Sequence, residues 1–482
     1  MARSARHRAV VGTGVLLVAV VAVVNAISLP STAPADVDGD YVVTAAWNLA
    51  TEGVFSTSRD DGPLDHHPGR EPLFPALLAG AILVDAVVHG GGVVDDLDVD
   101  CVVEGTSPAC RAPNARWKLL NGVLLLCLVG LTWATARLWL PPAWALAPTA
   151  VVATSTSVLG YVDTYYTEVL AALLLLAASA ASVQLQRSGR RRWAVAGGLS
   201  LGLLALTKAI FLYVIPLVAA VVWLVGDRTT RDARTAHGRV VAVLVVAALS
   251  LPVAWMARNA VAGEGWVITR GADAVLMTRL SYDTLTAREA GAAILYWATP
   301  THGPDLAAAL LPEDAHARLD RDDPDGYYQG HERVRDEVDR DGLGTVLARR
   351  AVPHVVLTPL LLYRGAVPWA QFDVDGPAVH VGDLAAELIG RTYLPAMAVL
   401  AWWGWRRRRS SLALFVTPAL ASFALYAGMT HFMPRYSVPA VGVGAIAVAV
   451  AAHALWRRGR SEDRRATGAA PPPSPVAEDV SA

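Results

Sequence analysis

The chain has 482 residues, 54% of them hydrophobic and 17% charged, with a formal net charge of −1. No basic field points to nucleic acid, and three cysteines are too few for a disulfide scaffold or a thiolate zinc site. An ordinary soluble protein is excluded by repeated uncharged apolar runs, because about 20 apolar residues carry a helix across a bilayer. A helix is the favoured spanning form, since it satisfies its own backbone where lipid offers no water.

At the start of the chain, Arg3, Arg6 and Arg8 precede an apolar run at 9–29, and Ala33-Pro34-Ala35 then resembles a signal-peptidase site. The run is long for a signal peptide, which favours a retained first span over a cleaved signal. Further spans are expected at 117–138, 143–160, 169–186, 193–207, 209–225, 240–257, 392–405, 411–428 and 437–456. The runs 72–89 and 351–369 are apolar but interrupted by proline and charge, and read as helices in the outer interface. Basic residues set the orientation, because cytoplasmic loops are enriched in Lys and Arg. With the N-terminus inside, four clusters fall on its side: Arg187 with Arg190 to Arg192; Arg228, Arg231, Arg234 and Arg239; Arg406 to Arg409; and Arg457, Arg458, Arg460, Arg464 and Arg465.

The expectation is an all-α multi-pass membrane protein with about ten transmembrane helices, interfacial helices and an outer, α-rich domain. Residues 1–257 form an N-terminal membrane module with an outer loop at 30–116. Residues 258–391 form an outer-face domain with an acidic stretch at Asp320, Asp322, Asp323 and Asp325. Residues 392–456 form the last spans, and 457–482, with Pro471 to Pro473, read as a disordered cytoplasmic tail. The membrane is expected to be the plasma (inner) membrane, with both termini cytoplasmic. Cys101 and Cys110 lie on the outer side, where oxidation permits a local disulfide; Cys127 lies within a span and reads as packing.

Charge is absent from the centres of most spans and gathers at their outer ends, which argues against a proton-coupled carrier. After the first span comes Asp36-Val37-Asp38-Gly39-Asp40-Tyr41. A carboxylate there suits a general base or a metal ligand; on spacing alone, an acidic helix cap is the commoner use. Asp163-Thr164-Tyr165-Tyr166-Thr167-Glu168 places two acids and two interfacial tyrosines in a short outer loop. Lys208 sits in a tight apolar turn, where it either binds a lipid phosphate or snorkels to the interface. Arg258-Asn259 ends one span, Arg435-Tyr436 begins another, and Arg70 lies in the outer loop. Arginine suits phosphate through bidentate hydrogen bonds, and Lys208, Arg258 and Arg435 all run against the positive-inside bias. His66, His67, His302, His331 and His354 are scattered without metal spacing. His431 precedes Arg435 and reads as an interfacial histidine or a ligand-side group.

Taken together, Asp38-Gly39-Asp40-Tyr41 with Asn48-Leu49, Glu71-Pro72-Leu73-Phe74-Pro75-Ala76-Leu77-Leu78-Ala79, Thr167-Glu168, Ala205-Leu206-Thr207-Lys208, and Pro252 through Trp255 to Arg258-Asn259 with Pro434-Arg435-Tyr436-Ser437-Val438-Pro439 resemble the GT-C glycosyltransferases. The likeness is greatest to the bacterial protein-mannosyltransferase and aminoarabinose-transferase branch, and runs from residue 1 to about 456. The resemblance implies a helical bundle whose first outer loop bears a catalytic acid. It also implies transfer of a sugar from a polyprenyl-phosphate donor to a glycan, lipid or protein acceptor, with inversion. The family's acid matches Asp38, with Asp40 the near alternative; the family often has Asp-Glu here, and this chain has Gly39 in second place. Glu168 would orient sugar or acceptor. Lys208, Arg258, Asn259, Arg435, Tyr436, Asp163, Arg70 and His431 would line the substrate and lipid-phosphate site. No cofactor is expected to be required; Asp38, Asp40, Asp163 and Glu168 are the oxygen donors a divalent cation would use. The competing readings are a flippase of lipid-linked sugars, which usually shows repeats and a polar path through the bundle, and a non-catalytic scaffold.

Overall fold

The structure is a computed structural model and describes residues 2–35, 37–59, 64, 66–89, 97–226, 230–369, 383–407 and 410–466. Asp36, Arg228, Arg408, Arg409 and the tail from 467 lie outside the described residues. Among those residues the chain is helical, with no strand. In chain order the helices are α1 (Ala2–Ser28), α2 (Val37–Thr51), α3 (Leu73–His89), α4 (Val99–Glu104), α5 (Pro108–Ala136), α6 (Pro142–Thr154), α7 (Thr156–Leu159), α8 (Glu168–Ser188), α9 (Arg191–Ala205), α10 (Phe211–Val225) and α11 (Arg231–Val261). They continue as α12 (Ala272–Tyr282), α13 (Ala287–Tyr296), α14 (Gly303–Leu310), α15 (Glu313–His316), α16 (His331–Asp341), α17 (Leu343–Gly365), α18 (Asp383–Arg391), α19 (Tyr393–Arg406), α20 (Ser410–Met429) and α21 (Val441–Ala466).

Seven described helices are long and apolar enough to cross a bilayer: α1, α5, α8, α11, α17, α20 and the last, which runs Pro434–Arg460 with its 3₁₀ entry. The other expected spans are helical but shorter, with 13 residues in α6, 15 each in α9 and α10, and 14 in α19. The protein is thus an all-α, multi-pass membrane protein. Its surface fits that reading: Leu16, Leu17, Val20, Val24 and Ile27 of α1 and Val246, Leu251 and Val253 of α11 are exposed, an apolar belt that water would penalise and lipid does not. Cys127 is also exposed on this belt, so it meets no packed interior of the bundle.

The hydrophobic window of α8 is 72% buried, against 17% for those of α1 and α11, so α8 is the axial helix and those two are peripheral. Without a hydrophobic drive between helices in lipid, close approach and dispersion hold the bundle. Gly198 and Gly202, one turn apart on α9, show how: a Cβ on Gly202 would lie 2.5 Å from the carbonyl oxygen of Ala248 on α11. Following the turns from helix to helix, Arg187, Arg190 to Arg192, Arg231, Arg234, Arg406 and Arg457 all lie at one end of the bundle. The long connections, α2 to α4 and α12 to α18, lie at the other.

Here Cys101 and Cys110 form a disulfide, Cα–Cα 5.2 Å, joining α4 to the start of α5. Asp85 of α3 is buried against Arg116 of α5, with nitrogen–oxygen distances of 2.7 and 2.9 Å. The later connection has small cores of its own, one around Tyr282, Trp297, Tyr327 and Leu361, and another around Met277, Leu280, Val334 and Val346. It is fastened to the bundle by Arg279, which is fully buried, pairs with Asp283, and donates to Ala427 O at 3.1 Å and to Thr358 Oγ1 at 3.1 Å.

Although α17 is long enough to span, its contacts run across the end of the bundle. His354 meets Gly428 O at 2.7 Å, while Arg364 donates to His431 O at 3.3 Å. Those two residues are about 15 Å apart along the helix, yet both touch the short stretch around the end of α20. A helix running beside α20 would instead reach its middle. The opposite face of α17 exposes Val352, Val355 and Val356.

Replacing Gly202 with Leu is expected to force α9 from α11 and to cost more than the roughly 1–3 kcal/mol of ordinary over-packing. Thermal unfolding in detergent checks this; an unchanged melting temperature would contradict the close-packed interface.

Candidate active site

A cavity of about 570 Å³ opens at the end of the bundle opposite the basic clusters. Its inner wall carries Asp38, Arg70, Glu71, Glu168, Lys208, Arg435 and Tyr436. These come from five separate parts of the chain, and local structure fixes each one.

Asp38 lies in the first turn of α2. Successive helical residues turn by about 100°, so Asp38 and Asp40 point to opposite sides. Asp38 reaches the cavity, and Asp40 turns to Arg59 at 3.3 Å. Glu168 opens α8 and is fully buried, supported by a loop that α5 holds from beneath. Asn121 donates to Tyr161 O at 3.1 Å and Thr164 O at 2.8 Å, and the Tyr165 hydroxyl donates to Asn114 Oδ1 at 2.5 Å. Lys208 sits in the turn between α9 and α10. That turn is tied to the first long loop by Leu73 N–H donating to Leu206 O at 3.1 Å and Ala209 N–H donating to Glu71 Oε1 at 3.1 Å.

Arg435 follows a sharp turn at Phe432, whose φ of 31° is a backbone conformation that non-glycine residues rarely adopt. The Phe432 ring stacks on Tyr426, with centroids 5.6 Å apart, and its other side lies so close to Gly365 that a Cβ there would collide with the ring. Packing thus holds the strained turn and aims Arg435 inward.

The charges are paired in a chain around the cavity. Asp38 Oδ1 accepts from Arg70 at 2.5 Å and Oδ2 from Arg435 at 2.6 Å. Burial alone would raise the Asp38 carboxyl, but Arg435 and Arg70 outweigh it and hold it at about 2. For Asp40, burial wins over the single, longer contact to Arg59, and its carboxyl is pushed up from the ordinary value. Lys208 donates to Glu168 Oε1 at 2.8 Å, while Glu168 Oε2 is buried with no hydrogen-bond partner among the described residues. Aromatic faces line the cations: Arg435 lies 5.7 Å from the Tyr166 ring centroid and 5.3 Å from that of Tyr436, and Tyr436 stacks on Tyr426 at 4.9 Å.

Of the residues singled out in the sequence, Asp38, Arg70, Glu168, Lys208, Arg435 and Tyr436 meet at this cavity. Asp40, Asp163, Arg258, Asn259 and His431 do not line it. Asp163 fastens the stretch after α1, accepting from Ser31 N–H at 2.6 Å and from Lys118 at 3.1 Å. Arg258 stacks over Trp255 at 4.7 Å and reaches His66 at 2.7 Å. Asn259 is fully buried and donates to Val267 O at 2.8 Å, shaping the segment 264–271. His431 is buried between Tyr328 and Tyr436, and burial, with Arg364 and Arg435 nearby, holds it well below the usual histidine range. Among the described residues, no three His, Cys, Asp or Glu side chains converge as a metal cage. The four acids weighed as cation ligands are instead each committed to separate basic partners.

The sequence reading missed the outer wall, formed by Trp266, Ile268, Thr269 and Arg270, with Tyr213, Met256 and Tyr426. That wall is closed by Arg270 N–H donating to Pro68 O at 2.8 Å and Thr269 Oγ1 donating to the same oxygen at 3.0 Å. Nothing local in the sequence marks this long-range closure. Asn114, Lys118 and Asn121 were also passed over, although their spacing puts them on one face of α5, a polar stripe on an otherwise apolar helix that signals buried work.

No family model matches the sequence, and no curated protein does either. The chain is similar to solved structures. The archaeal oligosaccharyltransferase AglB of Archaeoglobus fulgidus, solved with an inhibitory peptide and a dolichol-phosphate, aligns over 96% of this chain and 52% of its own, with a TM-score of 0.50 and 11% identity. This chain therefore spans about half the length of that enzyme. ArnT from Cupriavidus metallidurans aligns in its apo state over 91% of this chain and 78% of its own, at TM-score 0.39 and 16% identity. Bound to undecaprenyl phosphate it aligns over 90% and 77%, at 0.37 and 15%. What this chain has in common with AglB, at 11% identity, is its fold: a multi-pass helical bundle.

Proposed function

We propose that the protein is an inverting glycosyltransferase of the plasma membrane, moving a hexose or pentose from a polyprenyl-phosphate donor to a glycan, lipid or protein acceptor at the outer face. The observation that carries this is the cavity: an ionised carboxylate, three cations and a half-satisfied buried carboxylate meet at one end of a membrane bundle. The fold shared with AglB supports it. Every basic cluster lies at the far end of the bundle, which under the positive-inside bias puts the cavity outside and both termini in the cytoplasm. Charges gathered at that end, rather than along a path through the bundle, favour transfer over transport.

In this reaction the acceptor hydroxyl attacks the anomeric carbon from the face opposite the lipid phosphate. The new carbon–oxygen bond forms as the sugar–phosphate bond breaks, and the bonding pair leaves with the phosphate oxygen. Asp38 takes the hydroxyl proton, leaving a glycosylated acceptor and a polyprenyl phosphate. Lys208, Arg70 and Arg435 stabilise the charge that grows on the leaving phosphate, at a low-dielectric boundary where such contacts are strongest. Glu168 Oε2, buried and without a hydrogen-bond partner among the described residues, accepts a hydrogen bond from a hydroxyl of the sugar or acceptor. No step uses a metal.

Asp38→Asn is expected to lower transfer of radiolabelled sugar from polyprenyl-phosphate donors by about 10²–10⁴-fold, the usual worth of a placed base, with the protein still inserted and folded. Wild-type turnover in that variant would refute the assignment. Lys208→Met strands Glu168 as a buried, uncompensated charge and is expected to cost about 3–5 kcal/mol of stability. Adding Glu168→Gln should recover much of that loss in thermal unfolding while transfer stays low; recovery of both would make the pair merely structural.

A further inference from the structure

Asp38 has no cation-free oxygen: Arg70 holds one and Arg435 the other. The cavity is lined by four carboxylates, Asp38, Glu71, Glu168 and Asp273, and four cations, Arg70, Lys208, Arg270 and Arg435, so its charges balance, and Arg270 is held by Glu264 at 2.8 Å. An arriving phosphate adds negative charge to a site with no positive charge to spare. The cheapest compensation is to turn guanidinium hydrogen bonds from carboxylate to phosphate, for which their planar fork is suited. Lys208 is already committed to Glu168, which is fully buried and would be stranded by its loss. Arg70 and Arg435 have one carboxylate between them, so they can share it.

We propose that Arg70 and Arg435 form a lock on Asp38 that the donor's own phosphate releases, so that the base becomes effective only in the donor complex. The inference rests on the glycosyltransferase reading and adds a regulation of the same site. With both guanidiniums bound to it, Asp38 is an ionised but feeble base, its carboxyl held at about 2. As they swing to phosphate, Asp38 loses opposite charge and regains proton affinity. As the sugar–phosphate bond breaks, the leaving oxygen gains charge, draws the guanidiniums further and completes the proton transfer to Asp38. Phosphate departure and proton acceptance are thereby coupled through two shared cations. The other groups facing this site, Glu71, Tyr166, Arg270, Asp273 and Tyr436, stay in place through the exchange.

Two readouts test the lock. Infrared spectroscopy of protein with ¹³C-labelled aspartate in lipid nanodiscs, with Asp38→Asn to identify the band, follows protonation of Asp38 without requiring catalysis. Saturating inorganic phosphate is expected to raise the pH of that transition by at least one unit. Arg70→Gln is expected to raise it without phosphate, and Arg70→Lys to restore most of the difference. Phosphate that fails to bind, or that binds and leaves the transition unmoved, overturns the lock. In turnover, the acidic limb of kcat, which reports the donor complex, should lie at higher pH than that of kcat/KM, which reports the free enzyme; coincident limbs overturn it as well. A shifted infrared transition in a protein that transfers no sugar would sink the proposed reaction and leave the lock standing.

Discussion

The ion pair between Asp38 and Arg435 joins residues 397 positions apart and sets the geometry of everything around it. A carboxylate at the edge of a membrane bundle cannot be left alone. It is neutralised by protons or by fixed cations, and here two guanidiniums do so. That requirement pulls the first long loop, which supplies Asp38 and Arg70, onto the start of the last helix, which supplies Arg435. The strained turn at Phe432, the collision-free surface of Gly365 and the stacked Tyr426 all aim one guanidinium at that carboxylate.

Around this pair the protein separates support from chemistry. The polar face of α5 holds the loop before Glu168, with Asn121, Asn114 and Lys118 satisfying backbone and side-chain groups that would otherwise be orphaned in an apolar setting. Asn259 and the contacts to Pro68 close the outer wall. None of these residues lines the inner wall, yet the first three hold the loop before Glu168 and the others fix the outer wall. The long connection α12 to α18 rests on the end of the bundle through the buried Arg279–Asp283 pair, so its position relative to the cavity is set by polar contacts that are costly to break.

The bundle was legible in the sequence because a spanning helix needs a long apolar run and little else. The same signal misled about length where a turn cut a run short, as in α6, which ends at Thr154 although the apolar run continues to 160. The candidate site was legible in part. Lys208, Arg435 and Glu168 stood out as charges at span ends, where burial demands a partner, and Arg70 came from the outer loop; each has a partner in the cavity wall. Asp40 was paired with Asp38 on proximity, but two residues along a helix is slightly more than a half-turn, and it faces away. Asp163, Arg258 and Asn259 carried the right chemistry and found structural partners, Lys118, Trp255 and the 264–271 backbone, that only the folded chain brings near. The outer wall with Trp266 and Arg270 had no local signature, since its closure rests on backbone carbonyls some 200 residues distant, such as Pro68 O.

In the proposed reaction the cations of this cavity seat a lipid phosphate. An experimental structure of the protein in lipid with polyprenyl phosphate added tests it most directly. The phosphate is expected within hydrogen-bond distance of Lys208 and of Arg70 or Arg435, with at least one guanidinium turned from Asp38. A phosphate bound elsewhere on the bundle, with both guanidiniums still on Asp38, would contradict it.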